Sequence, residues 1–153
     1  VYTVPYGVMV PKEVDNLLLP VPVSGSHIGF STLRMEPCWM AMGQAAGIAS
    51  ALSIDGKVKV QNINLSRLQD KLIDQKATLM YFKDVDYTSP HFRMVQYLGL
   101  RGYLPEWTAR LQEPVDATTL AAWKKLSGTD LPGIEAGKTT RLATLEMIYR
   151  KIK

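Results

Sequence analysis

Apolar positions along the chain follow one rhythm up to about residue 78 and another beyond it. Val1 to Val10, VYTVPYGVMV, alternates loosely and is rich in Val and Tyr, which predicts a short strand interrupted at Pro5-Tyr6-Gly7. Pro11 to Asp15 is a polar turn. Asn16 to Val23 is mostly branched and apolar, the pattern of a strand buried on both faces. Pro20 and Pro22 cannot donate ladder hydrogen bonds, so the regular strand is expected to end near Leu19. Ser24-Gly25-Ser26-His27 reads as a turn and Ile28 to Leu33 as an irregular connection. A helix is expected from about Met35 to Pro37, since proline is tolerated in a first turn, to about Ser53, with Gly56 terminating it. Gly43, Ala45, Ala46, Gly47, Ala49, Ser50 and Ala51 give that helix one very slim side. Two internal glycines cost roughly 1 kcal/mol each relative to alanine, which makes sense if something packs against the backbone there.

Lys57 to Val60 suggests a further short strand. Asn64 is placed to cap a helix carrying Leu65, Leu68 and Leu72 on one face and reaching about Thr78, with a Ser66–Gln69 capping box as the alternative start. Beyond Leu79 come an acidic, turn-like stretch from Tyr81 to Ser89 and a helix from about Pro90 to Leu100. That helix turns Phe92, Val95 and Leu98 inward and ends at Gly102. Asp116 caps a second helix with Leu120, Trp123 and Leu126 on one side, and Thr139 starts a last one bearing Leu142, Leu145, Ile148 and Ile152. The expected class is α+β, mostly helical: a few short strands and the small-residue helix in residues 1–78, then a small all-α module in residues 79–153.

Composition excludes several functions. The 153 residues can bury one ordinary core or two small ones, and 46% hydrophobic with 21% charged residues is a globular balance. No uninterrupted apolar run reaches the length of a membrane span. The first residue is Val1 rather than Met, which suggests a trimmed chain or fragment. Net charge is +4, split as seven basic against six acidic residues up to Thr78 and eleven against eight after it. The positives are scattered apart from Lys124-Lys125 and the Arg150-Lys151 and Lys153 end. Nucleic acid, which wants a concentrated basic face with interleaved aromatics, is therefore not an expected partner. Cys38 is the one cysteine, so no intrachain disulfide forms, and with two histidines sixty-four positions apart no metal site is expected. Cys38, between Pro37 and Trp39, reads as a buried and unreactive thiol.

Some suggestive groupings dissolve on inspection. Gly133 to Thr139 imitates a phosphate-binding loop but has three residues between its glycines, not four, and no strand before it. Ser24, His27 and Glu36 could be drawn as a triad, yet no strained nucleophile turn supports one. Asp84 with Asp86, and Glu13 with Asp15, read as solvated or capping acids. His91 suits a surface or capping role. His27 stands out only because it shares a turn with Ser24 and Ser26 just before the slim helix.

An ordered set of short matches gives this half a direction. Pro5-Tyr6 and Pro11, Asp15-Asn16-Leu17-Leu18, Ser24-x-Ser26-His27, Arg34-Met35-Glu36-Pro37 and Gly43-Gln44-Ala45-Ala46-Gly47 together resemble the C-terminal, flavin-proximal motif of a family of FAD-dependent oxidoreductases, often labelled xanthan lyase-like. Many relatives have a Gly-Arg pair after the Asn-Leu-Leu strand, where this chain has Pro-Val-Pro-Val. The resemblance implies that residues 1–78 are the end of an FAD-binding domain whose strand and helix complete the flavin site. Ser24, Ser26, Gly43, Gln44, Ala46 and Gly47 would then be cofactor-binding, and His27 and Arg34 would face the reacting side. The helix N-terminus would bring a partial positive charge of about half a unit to the flavin. No Gly-x-Gly-x-x-Gly follows a strand anywhere in the chain. The expected partner is therefore an upstream flavin-binding domain, with FAD held weakly or not at all by these residues alone and the small-molecule substrate unnamed.

Residues 79–153 faintly resemble an S-layer homology unit. The likeness rests on Phe82-x-Asp84-Val85, Pro90-x-Phe92, Leu98-Gly99-Leu100, Gly102-Tyr103 and Thr140-Arg141. That resemblance implies a cell-wall glycan as partner, or a non-catalytic envelope module. Compartment stays open between the cytoplasm and the envelope of a bacterium.

Overall fold

The computed structural model describes residues 3–153; Val1 and Tyr2, at the start of the first expected strand, lie outside them. The chain divides into two compact units, Val1–Ala77 and Thr78–Lys153. Helices dominate both, as the sequence implies, but none of the expected short strands is formed among the described residues. Among the described residues the nearest thing to a sheet is one antiparallel bridge, Pro114 with Thr140.

In the first unit, Pro5 sets up a 3-10 turn over Tyr6–Met9 where a strand was expected. Residues 17–23 run on without helix or strand. Only the Leu19 N–H to Met9 carbonyl (2.8 Å) and Ser24 N–H to Val8 carbonyl (3.0 Å) bonds tie the two stretches together. Branched residues favour a pleated surface with neighbours to pack on, and here no further strand supplies one. Side chains do the holding instead. Tyr6 donates to the Val60 carbonyl at 2.9 Å, Gln61 to the Val14 carbonyl at 3.0 Å, and Lys59 pairs with Asp15 at 2.5 Å. Burial raises the Tyr6 pKa. Asn16, on left-handed backbone (φ 57°), accepts from the Val60 N–H at 3.3 Å.

Ile28 to Leu33, expected to be irregular, belongs to a seven-residue helix α1 (His27–Leu33), capped by Ser26 Oγ accepting from Gly29 N–H at 3.1 Å. The slim helix α2 runs over Glu36–Gly56 with Pro37 in its first turn and no side-chain cap. Gly56 is its last helical residue. The left-handed stop is Lys57 (φ 50°, ψ 40°), whose N–H reaches the Ile54 and Ser53 carbonyls. A side chain in that conformation costs on the order of 1 kcal/mol. The expected Lys57–Val60 strand is replaced by this stop and a 3-10 turn, Val60–Asn62.

Helix α3 (Leu65–Asp74) is capped by Asn64, which accepts from Arg67 N–H at 3.1 Å, so the alternative capping box is not used. It packs on α2. Leu68 and Leu72 are buried as expected, but Leu65 is exposed. The helix stops short of Thr78 because Lys76 turns left-handed (φ 63°) and Ala77 N–H bonds back to Leu72 at 2.9 Å.

The second unit holds α4 (Phe92–Gly99), α5 (Ala117–Ser127) and α6 (Arg141–Ile152), with α4 against α6. Phe92, Val95 and Leu98 are inward, and Trp123, Leu145 and Ile148 meet Val95 and Leu98 in one cluster. Leu126, expected inside, is exposed. Polar anchors tie loops to this core. Gln96, fully buried, accepts from the Leu79 and Met80 N–H groups at 2.8 and 2.7 Å and donates to the Met80 carbonyl at 2.7 Å. Asp84 accepts from two successive amides, Ala109 and Arg110. Trp123 Nε1 donates to the Tyr103 carbonyl at 2.7 Å. Gly128 provides the left-handed stop (φ 61°) after α5, a conformation glycine takes without penalty.

Asp116 caps α5 by accepting from the Thr119 hydroxyl and N–H, and these bonds hold its pKa below the usual 3.8. The sign follows. A depressed carboxylate adds stability above its unfolded pKa, and that contribution drains as pH falls through the folded value. Followed by circular dichroism, the melting midpoint of the helical unit will drop as pH is lowered below about 3.8. Asp116→Asn, which still caps but does not titrate, will show a shallower drop; an unchanged pH profile would remove Asp116 from the account.

Candidate functional site

The candidate residues lie on the segment from Ser24 to Gly47. Ser26 caps α1 and His27 is its first residue; Arg34 follows its last, with Arg34 N–H on the Phe30 carbonyl at 3.0 Å. Seven helical residues span about 10 Å, so His27 and Arg34 sit at opposite ends of α1. Both are exposed, and among the described residues neither side chain has a hydrogen-bond or ion-pair partner. Ser24 spends its N–H on Val8 and leaves its hydroxyl exposed. No bond links Ser24, His27 and Glu36 among the described residues, so the imagined triad is not assembled.

From Pro37 to Ile54 α2 carries no charged residue. Even so, no helix is long and apolar enough to cross a membrane among the described residues. One side of α2 enters the core: Met42 and Ala46 pack with Met9, Val23 and Leu33, and Cys38 is half-buried at the edge of that cluster. Ala46 thus faces inward. The opposite side, at the three- and four-residue spacing of a helix, shows Met40, Gln44, Gly47, Ala51 and Ile54 to solvent. Met40 and Ile54 are each 76% exposed. A methyl group placed on Gly43 or Gly47 would touch nothing within 4 Å. Gln44 turns its amide to Gln75, donating at 2.9 Å.

An apolar helix bare on one side is unusual on a finished surface, because helices apolar all round belong in interiors. Gly43 is half-buried and Gly47 exposed, and with no side chain on either the backbone there is open to close approach by a flat group. These residues do not form an enclosed pocket. Two surface grooves among the described residues, of about 470 and 380 Å³, include none of the eight candidate residues. Missed by the sequence reading was Trp39 in α2, whose Nε1 is buried without a partner among the described residues.

Comparison with known proteins bears on this same region. Residues 1–72 match the family model of FAD dependent oxidoreductases. The matched span contains every candidate residue and all of α1 and α2. No curated protein and no solved structure matches the chain. The flavoenzyme-like segment thus stops close to the end of the first unit.

In the second unit, the side chains that carry the S-layer likeness hold the fold. Phe82, Val85, Phe92, Leu98 and Tyr103 are core residues, and Asp84 grips backbone amides. Arg141 is 7% exposed, donates from Nε to the Ala109 carbonyl at 2.9 Å, and lies 5.0 Å from the Trp123 ring centre. Burial, then the nearby Arg110 cation, lowers its pKa, though an arginine keeps its charge throughout the working range. His91 faces Glu146 at 3.9 Å across α4 and α6. Asp86 caps Thr88, and Lys138 pairs with Glu135 at 2.7 Å within the false phosphate loop.

Proposed function

We propose that residues 3–72 are the flavin-proximal part of an FAD-dependent oxidoreductase and that residues 79–153 are an appended helical module. The observation that carries this reading is the overlap of the family match with the bare face of α2. FAD would supply the redox chemistry. Gly43 and Gly47 let the backbone reach van der Waals distance of a flat ring, and Gln44 offers it an amide. Ser24, Ser26 and the first turn of α2 bring hydroxyls and N–H groups to its edge. Arg34 and His27 would meet the substrate side, where a fixed cation steadies developing negative charge. Ala46 supports the site from within. The dinucleotide fold that grips ADP is to come from another domain, since no glycine fingerprint occurs in these 153 residues.

The test compares the 153-residue chain with the complete enzyme. Titrated into the chain alone, FAD will keep its fluorescence. In the complete enzyme, Arg34→Ala and His27→Ala will shift the flavin absorbance bands and lower turnover by about 10²–10³-fold, the usual effect of removing a charge-stabilising group. Tight stoichiometric FAD binding by the chain alone overturns the two-domain account, and unchanged spectra and turnover in both variants overturn the assignment of His27 and Arg34.

A further inference from the structure

At the C-terminal end of α2, beginning at Ser50, about 4.5 Å along the helix from Gly47, the last turns and residues 57–60 border a groove of about 470 Å³. Asn16 stands on its far side. Two residues lining it, Asn16 and Lys57, have left-handed backbones (φ 57° and 50°), a strain that tends to persist where a side chain must be aimed. The polar groups left over are donors. Asn16 uses its amide oxygen on the Val60 N–H and keeps its NH₂ group. Lys59 gives Asp15 one of three N–H bonds. Lys57 is exposed, with no side-chain partner among the described residues.

Two kinds of group oppose an anion here: the exposed Asp15 carboxylate, which is paired with Lys59, and the carbonyls at the helix end, which are already engaged. The Ser53 and Ile54 carbonyls, the negative end of the helix, accept from the Val58 and Lys57 N–H groups at 3.0 and 3.1 Å. Asp55 lies about 100° round α2 from Ile54 and is not part of the lining. The remaining wall is apolar: Ile54 is 76% and Val58 42% exposed.

We infer that this groove binds a phosphomonoester, with the phosphate held by Lys57, Lys59 and the Asn16 amide and an apolar or aromatic body lying on Ile54 and Val58. Lys57 and Lys59 less the paired Asp15 leave one net positive charge, and the two ammonium groups with the Asn16 amide offer more N–H donors than the two oxygens of a carboxylate accept, which suits a phosphate with three. The site begins one turn beyond Gly47 on α2, shares no residue with the flavin-facing segment and does not depend on it.

The whole chain is titrated with phenyl phosphate, benzoate and phenol, following backbone amides by NMR. Phenyl phosphate will shift the amides of Asn16, Ser50, Ser53 and Lys57 to Val60, less so as salt is raised. Lys57→Gly takes the same backbone conformation without strain, so the fold is kept, and affinity will fall about tenfold for one lost charge-assisted bond. Lys57→Arg will retain binding. Absence of these shifts, equal shifts with benzoate or phenol, or undiminished affinity in Lys57→Gly each overturns the proposal.

Discussion

Expressed separately, residues 78–153 will melt in one sharp transition, whereas residues 1–77 will melt broadly and bind hydrophobic dyes. Size does not separate the two, since each is a little over seventy-five residues and near the lower limit for a self-sufficient core. The cores do. The second unit buries one cluster running from Phe82 to Ile148, with Trp123, Phe92 and Leu98 almost wholly enclosed. The first gathers Met9, Val23, Leu33, Met42 and Ala46 into a smaller cluster, with further buried side chains such as Leu52, Leu68, Leu72 and Ile73 on α2 and α3, and no buried aromatic among the described residues. Of fifteen exposed large hydrophobic side chains among the described residues, eleven lie before residue 78. Ile28, Met40 and Ile54 are each more than three-quarters exposed. Near-ultraviolet circular dichroism reports on fixed aromatic packing, and calorimetry on cooperativity. An equally sharp melt for residues 1–77 would mean that its bare apolar face needs no neighbour, and would take away much of the reason to place a flavin domain there.

That asymmetry was only partly legible in the sequence. Helices whose apolar residues recur at helical spacing behind a capping side chain could be read directly, as with Asn64 before α3 and Asp116 before α5. Their ends were less readable. Lys57 and Lys76 both stop helices in a left-handed conformation that glycine ordinarily fills, and lysine gives no local sign of it. α1 was missed because seven residues, HIGFSTL, are too short to show a period, although Ser26 three residues before Gly29 is a fair cap. The strands failed for the opposite reason. Val and Tyr near the N-terminus, and Leu and Val before Ser24, carry real strand preference, but a strand exists only with a partner.

For the candidate site, residue types were legible and arrangement was not. Nothing in Gly-Gln-Ala-Ala-Gly says that Ala46 turns inward while Gly43 and Gly47 stay bare; that depends on which side of α2 meets Met9 and Val23. The two ends of α1 likewise separate His27 from Arg34. A single substrate would have to span that distance or leave one of them to the cofactor.

Gln96→Leu will cost the helical unit about 3 kcal/mol, since each buried donor or acceptor stripped of its partner loses roughly 1–3 kcal/mol. Leucine is close in volume and equally at home in a helix, so neither cavity nor propensity enters the comparison. What changes is that the N–H groups of Leu79 and Met80 and the Met80 carbonyl lose one common partner. Those groups begin the unit, and Phe82 and Val85 follow them into the core. Release of this arm will uncover Phe82 from Gly99, where a methyl on the glycine would already sit 3.0 Å from the ring. Chemical denaturation measures the loss, and hydrogen exchange at Leu79 and Met80 locates it. A loss well under 1 kcal/mol would show that water replaces the amide at little cost and that Gln96 is a passenger in the core. A full loss with unchanged exchange at both amides would mean that the damage lies elsewhere along α4. The expected result, a large loss with fast exchange at Leu79 and Met80, would make one glutamine the clasp that joins the first residues of the unit to its central helix.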